Sequence, residues 1–145
     1  MSNEQTAVLE ANQRFYRAFE KKDIESMEAV CSKGIGSLCI HPGRKALKGW
    51  ETIRQSWLQI FKATRYLEID LDIMSVEVSG DLAYVVLVEN VMQVAGDRRL
   101  EANSMATNTF ERMGGQWYLV HHHGSPIMRS EEHTSELPVT DQSRM

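Results

Sequence analysis

Apolar residues change their spacing once along this chain, at Tyr66, and that change dictates helices packed against a sheet. Before it they recur at i, i+3, i+4 and i+7, the spacing of one helix face. After it they alternate, which sends successive side chains to opposite faces of a strand. Four alternating runs, Leu67 to Val78, Leu82 to Val94, Arg99 to Arg112 and Gln116 to Ser125, are separated by Ser79-Gly80-Asp81, Ala95-Gly96-Asp97 and Gly114-Gly115. Those turn residues predict hairpins, and long strands joined by hairpins make a curved antiparallel sheet. Ala83 to Val88 is apolar on both faces, so that strand has to be covered twice, by helices of its own subunit and by a second subunit.

Ser2 with Gln5 has the capping-box spacing, and Val8, Leu9, Phe15, Ala18 and Phe19 follow at helical intervals, predicting a first helix over about 4–21. Asp23 predicts the N-cap of a second helix carrying Ile24, Met27 and Val30, with Gly34 and Gly36 ending it. Residues 36–41 read as a short strand. Gly49 then opens a third helix in which Trp50, Ile53, Trp57, Ile60 and Phe61 form a broad apolar stripe.

The chain of 145 residues is read as one domain over 1–128, large enough to bury roughly two thirds of its unfolded surface. A net charge of −4 without a Lys/Arg cluster argues against nucleic acid, because phosphate binding needs a concentrated basic footprint. No apolar run approaches the roughly 20 residues that cross a bilayer, and Met1-Ser2-Asn3-Glu4-Gln5 lacks the regions of a signal peptide. A cytoplasmic protein without a membrane partner is the expectation. Cys31 and Cys39 lack CxxC spacing and read as buried thiols. Residues 129–145 have no periodicity, so disorder is expected there. The run Arg129 to Leu137 also resembles the read-through translation of a common sequencing-library adapter, a resemblance that would imply an artefact of gene assembly rather than native sequence.

Two polar landmarks carry the candidate chemistry. In Trp117-Tyr118-Leu119-Val120-His121-His122-His123-Gly124, strand alternation points His121 and His123 the same way, roughly 7 Å apart. In Leu38-Cys39-Ile40-His41-Pro42-Gly43, a turn dipeptide stops a short strand just after a histidine.

Three helices and a four-stranded meander, with a short strand between the second and third helices, is the element order of the nuclear transport factor 2-like cone. Residues 8–127 resemble that superfamily and its SnoaL-like members through Asp23-Ile24-Glu25-Ser26-Met27, Gly80-Asp81 and Gly115 to Ser125. The last stretch is most similar to the association domain of calmodulin-dependent kinases. The resemblance implies an α+β, cone-like fold, with three N-terminal helices against a strongly curved, mainly antiparallel sheet. It implies a pocket open at one end, lined by the first and third helices and the concave face, with His41 at its rim or wall. The superfamily contains isomerases, dehydratases, epoxide hydrolases, polyketide cyclases and non-catalytic assembly domains, so activity has to be read from the site.

Ketosteroid isomerase needs a carboxylate base opposite a tyrosine and a protonated aspartate. Phe15 falls where the resemblance places the tyrosine, His41-Pro42 where it places the base, and Asn108 where it places the oxyanion aspartate. Phe15 cannot donate, so that activity is not expected unless Tyr16 substitutes. His41 is chemically sensible as an acid or base, and Asn108 as a group polarising a carbonyl; the competing reading makes His41 a polar residue satisfied by turn backbone or water. The cavity arginines of the kinase domain are replaced here by Glu89 and Asn108, which removes that argument for an anionic ligand. Glu89 on a covered strand must be paired or raised in pKa.

His-x-His plus a distant third histidine is one way to build a zinc site, but no carboxylate is placed to support it, so neither a metal nor another cofactor is expected. His121 and His123 are expected to line the pocket or its edge. Phe15, Tyr16, Phe19, Trp50, Trp57 and Glu89 complete the expected ligand-binding set, and His41 with Asn108 the catalytic pair. The chain is read as a homodimer binding a small apolar or carbonyl-bearing molecule, with or without acid–base turnover of the isomerase, cyclase or hydrolase type; the alternative is a non-catalytic assembly module.

Overall fold

The computed structural model describes residues 1–128, so the expected tail at 129–145 lies outside the described residues. Helix α1 (Asn3–Lys21) begins at Ser2, whose hydroxyl accepts from the Gln5 N–H while the Gln5 side chain accepts from the Ser2 N–H. This is the reciprocal cap that the spacing predicts. At the other end the Lys22 ammonium donates to the carbonyls of Thr64 and Arg65 at 2.8 and 3.0 Å, fixing the helix to the start of the sheet.

Asp23 caps α2 (Ile24–Val30), accepting from the N–H groups of Glu25 and Ser26. The helix stops at Val30 rather than at Gly34 or Gly36. Cys31 has already turned to extended backbone, making a parallel bridge to Leu119, and the Ser32 N–H donates to the Leu119 carbonyl at 2.8 Å. Pairing across the molecule thus ends the helix before its glycines do.

Two short strands follow, β1 (Leu38–Ile40) and β2 (Leu47–Lys48). A two-residue strand has no period, which is why the sequence does not announce β2. Helix α3 (Trp50–Ala63) starts at Gly49, whose φ of 89° favours glycine. The long strands β3 (Tyr66–Ser79), β4 (Leu82–Ala95), β5 (Arg98–Met113) and β6 (Gln116–Pro126) agree with the four alternating runs to within a residue or so at each end. Together the strands form one sheet in the order β2-β1-β6-β5-β4-β3, antiparallel except where β1 runs parallel to β6. The result is the α+β cone, three helices against an unclosed curved sheet. Its core joins Val8 and Phe15 of α1, Trp57 of α3, and Val85, Leu87 and Phe110 of the sheet. No helix among the described residues is long and apolar enough to cross a membrane.

One irregularity decides the chemistry. Phe110 pairs with Leu119 and Thr109 with His121, leaving Val120 as an extra residue in β6. A bulge of this kind shifts the inside–outside phase by one position. Trp117 and Leu119 point inward before it, and His122 and Gly124 after it.

Removing the cap of α2 by Asp23→Ala is expected to lower the unfolding free energy by about 1 kcal/mol in urea denaturation, with an unchanged slope against denaturant.

Candidate functional site

A connected set of buried polar side chains lies across the inner wall of the cone. Asn12 and Tyr16 come from α1, Glu89 from β4, Asn108 from β5 and His122 from β6, and each is at most 3% exposed. The Asn108 side-chain amide donates to Asn12 Oδ1 at 2.9 Å and to the Tyr16 hydroxyl at 3.0 Å. Tyr16 in turn donates to Glu89 Oε2 at 2.5 Å. Asn108 Oδ1 lies 2.6 Å from His122 Nδ1.

This chain of donors fixes the imidazole. Both amide hydrogens of Asn108 are used, so its oxygen is the acceptor and Nδ1 of His122 carries the hydrogen. Nε2 is left with a free lone pair, 3.9 Å from Glu89 Oε2. His122 also sits against Phe15 and Trp57, with ring centroids 5.1 and 6.3 Å away. Burial there holds its pKa down to about 3, helped by the other histidines. Burial moves Glu89 the other way, above the usual carboxylate range, against the opposing effect of the hydrogen bond from Tyr16. The Tyr16 hydroxyl is held well above its ordinary pKa by burial and by Glu89, so it stays a donor.

Glu89 and His122 open onto a cavity of about 720 Å³. Phe19, Leu47, Ile60 and Val91 supply much of its apolar lining. His41 faces it from the turn after β1, its ring 6.4 Å from that of His122 and edge-on to Trp57 at 4.9 Å. Ser56 gives its hydroxyl hydrogen to the Ile53 carbonyl at 2.7 Å and therefore accepts from His41 Nε2 at 3.0 Å. Nδ1 of His41 keeps the lone pair. Burial, with the positive charge of Arg44, holds this imidazole down at about 4. Gly124 makes the approach of this turn possible, since a Cβ there would lie 2.9 Å from Pro42 Cγ. Cys39 touches His41 at 3.7 Å, but burial raises its thiol to about 12 and leaves it without nucleophilic character.

Of the residues expected from sequence, the cavity brings together His41, Phe19 and Glu89. His121 and His123 are displaced from it. The Val120 bulge sends them to the outer face, where their rings stack at 6.1 Å, and the middle histidine takes the inner position. Asn108 is fully buried behind Tyr16 and His122 with every polar group engaged, so it is bonded to those two side chains and does not line the cavity. Phe15, Trp50 and Trp57 are core residues behind the wall, and Tyr16 acts through its bond to Glu89. His122, Asn12 and Ser56 were not singled out by the sequence. A polar residue at a helix core position marks Asn12; the strand period alone pointed to the wrong histidines.

The sequence profile of the SnoaL-like domain matches residues 8–129. A provisionally assigned dehydratase of the NTF2-like family from Streptomyces avermitilis is 31% identical, with a TM-score of 0.80 over 87% of this chain and 97% of that one. A provisionally assigned calcium/calmodulin-dependent protein kinase type II association domain from Thiobacillus denitrificans is 25% identical, with a TM-score of 0.73 over 81% and 93%. The F-box protein SKIP8 of Arabidopsis thaliana is 23% identical over 126 residues, 87% of this chain, and the chain spans about half, 52%, of that curated relative's length.

Two imidazoles with depressed pKa values make stability depend on pH. As pH falls below about 6.5, the unfolded chain binds protons that folded His41 and His122 refuse until about 4 and about 3, so stability is lost in that window. Glu89, raised, contributes with the opposite sign. His122→Gln removes one titration and keeps a donor for Asn108. Between pH 6 and 4 the variant's unfolding free energy should fall less steeply than the parent's, by roughly 1 kcal/mol per pH unit. Parallel profiles in pH-dependent denaturation would contradict a neutral, buried His122.

Proposed function

The chain belongs to the SnoaL-like domain family, and we propose that it is an acid–base enzyme acting on a small, largely apolar carbonyl compound, by elimination of water or by isomerisation. The observation that carries this reading is the meeting of His41, Glu89 and His122 at one end of an otherwise mostly apolar cavity. Neutral imidazole is a base, and a carboxyl held above its usual range is an acid at the same pH.

In an elimination, Nδ1 of His41 takes the proton on the carbon next to the carbonyl. The electron pair left on that carbon forms the double bond, and the hydroxyl on the neighbouring carbon departs as water with the proton of Glu89. In an isomerisation His41 removes the proton while Glu89 protonates the carbonyl oxygen; protonated His41 then returns the proton to a different carbon as the enol hydrogen goes back to Glu89. The hydrogen bond from Tyr16 holds the Glu89 carboxyl in place, with His122 packed beside it. The dehydratase assignment of the Streptomyces avermitilis neighbour supports the elimination.

A homodimer through the outer sheet face accompanies this reading. Tyr84 is 44% exposed there beside the half-buried Val86 and Val88. On the same face His121 Nε2 is buried without a hydrogen-bond partner among the described residues. A second copy supplies both the cover and the partner that such groups require.

Turnover of apolar β-hydroxy ketones and esters should fall about 10²–10⁴-fold in Glu89→Gln and in His41→Ala. The parent's kcat/KM should rise with pH as His41 loses its proton near 4 and fall again as Glu89 ionises. Full activity in both variants would end the assignment. Light scattering at micromolar concentration should report a dimer; a monomer would contradict the covered face, and an inactive ring of many subunits would favour the assembly-module reading.

A further inference from the structure

We propose that the cavity selects an anionic substrate, with Arg44 and Lys45 at its mouth binding a carboxylate, sulfonate or phosphate group while the reacting end reaches Glu89 and His41. This rests on the acid–base reading of the same cavity and adds the chemical class of what enters it. The two cations belong to the segment that carries His41. Its carbonyl accepts from the Arg44 N–H at 2.9 Å across Pro42-Gly43, and the φ of 75° at Gly43 closes the turn. The turn is held against β6 by the contact of Pro42 with Gly124, so the cations are presented by anchored backbone.

Charge at this mouth is unbalanced in a chain whose net charge is −4. Arg44 and Lys45, like most Lys and Arg side chains of the described residues, have no ion pair, but these two both line the cavity. Among the described residues Glu89 is the only acidic one lining the cavity, and it is buried. An anion placed inside would meet that carboxyl in an apolar surrounding, while an anion at the mouth meets two uncompensated cations and keeps contact with water. The apolar wall between, Leu47, Ile60 and Val91, suits a hydrocarbon body joining the two ends. Arg44 supplies the planar fork that pairs with an oxyanion, and Lys45 a second point charge.

A matched pair of fluorescent probes tests this without a known substrate. 8-Anilino-1-naphthalenesulfonate and N-phenyl-1-naphthylamine share an apolar body and differ by one sulfonate. The parent should bind the sulfonate more tightly, and added salt should weaken only that binding. Arg44→Gln/Lys45→Gln should weaken the sulfonate about ten-fold and leave the neutral probe within about two-fold, while Lys33→Gln/Arg98→Gln, equal in charge and away from the cavity, changes neither. Equal loss of both probes, no loss of the sulfonate, or an equal loss in the control variant would overturn the subsite. Turnover is not read in this titration, so failure of the acid–base reading would appear separately, in the kinetics of Glu89→Gln and His41→Ala.

Discussion

A carboxyl group buried inside a cone of apolar side chains has to be satisfied from every side, and Glu89 is that group. Leaving it ionised and unpaired would cost several kcal/mol, a large part of the margin by which a domain of this size is stable. The fold answers with the hydroxyl of Tyr16 from α1, which donates to it; Asn108 from β5 joins Tyr16 to His122 of β6, whose unprotonated Nε2 lies 3.9 Å from the carboxyl. Four elements far apart in sequence are thereby held in one relative position, and Asn12 ties the last amide back to α1. Because the hydrogen bonds run through Asn108 to Tyr16 and His122 and from Tyr16 to Glu89, a change of protonation at one member is felt by the next.

The architecture was legible because its signals are local. A change of apolar period, glycine-bearing turns and two side-chain caps delimit α1, the start of α2, α3 and the four long strands. The end of α2 was not legible, since a bridge from Cys31 to Leu119 decides it across the molecule. The site was legible only in part, for one physical reason. A strand's period assigns faces correctly until a bulge adds a residue, and the extra Val120 exchanges the roles of three consecutive histidines. Glu89 was found because a carboxyl amid Val85 to Val88 demands an explanation, whereas the function of Asn108 as an orienting group depends on neighbours that only the folded chain supplies.

The cavity combines groups that water would otherwise level. His41 and His122 stay neutral because they are buried, and the same burial keeps a proton on Glu89 to higher pH than a carboxylate in solvent. Base and acid thus coexist at one cavity, His41 and Glu89 both lining it and the His41 ring lying 6.4 Å from that of His122. At the mouth Arg44 and Lys45 reverse the sign of the charge met by an approaching ligand. Both thiols are raised far from reactivity by burial, which leaves proton transfer as the chemistry that this wall supports.

The claim on which the rest depends is that His122 is a neutral imidazole carrying its hydrogen on Nδ1. Long-range ¹H–¹⁵N correlation NMR on the uniformly ¹⁵N-labelled protein reads this directly, through the separate shifts of the two ring nitrogens. The expected spectrum keeps His122 in the neutral Nδ1–H form throughout pH 5–8, with its Nε2 at the shift of an unprotonated nitrogen. An Nε2–H tautomer, or conversion to imidazolium near the ordinary histidine pKa of about 6.5, would contradict it.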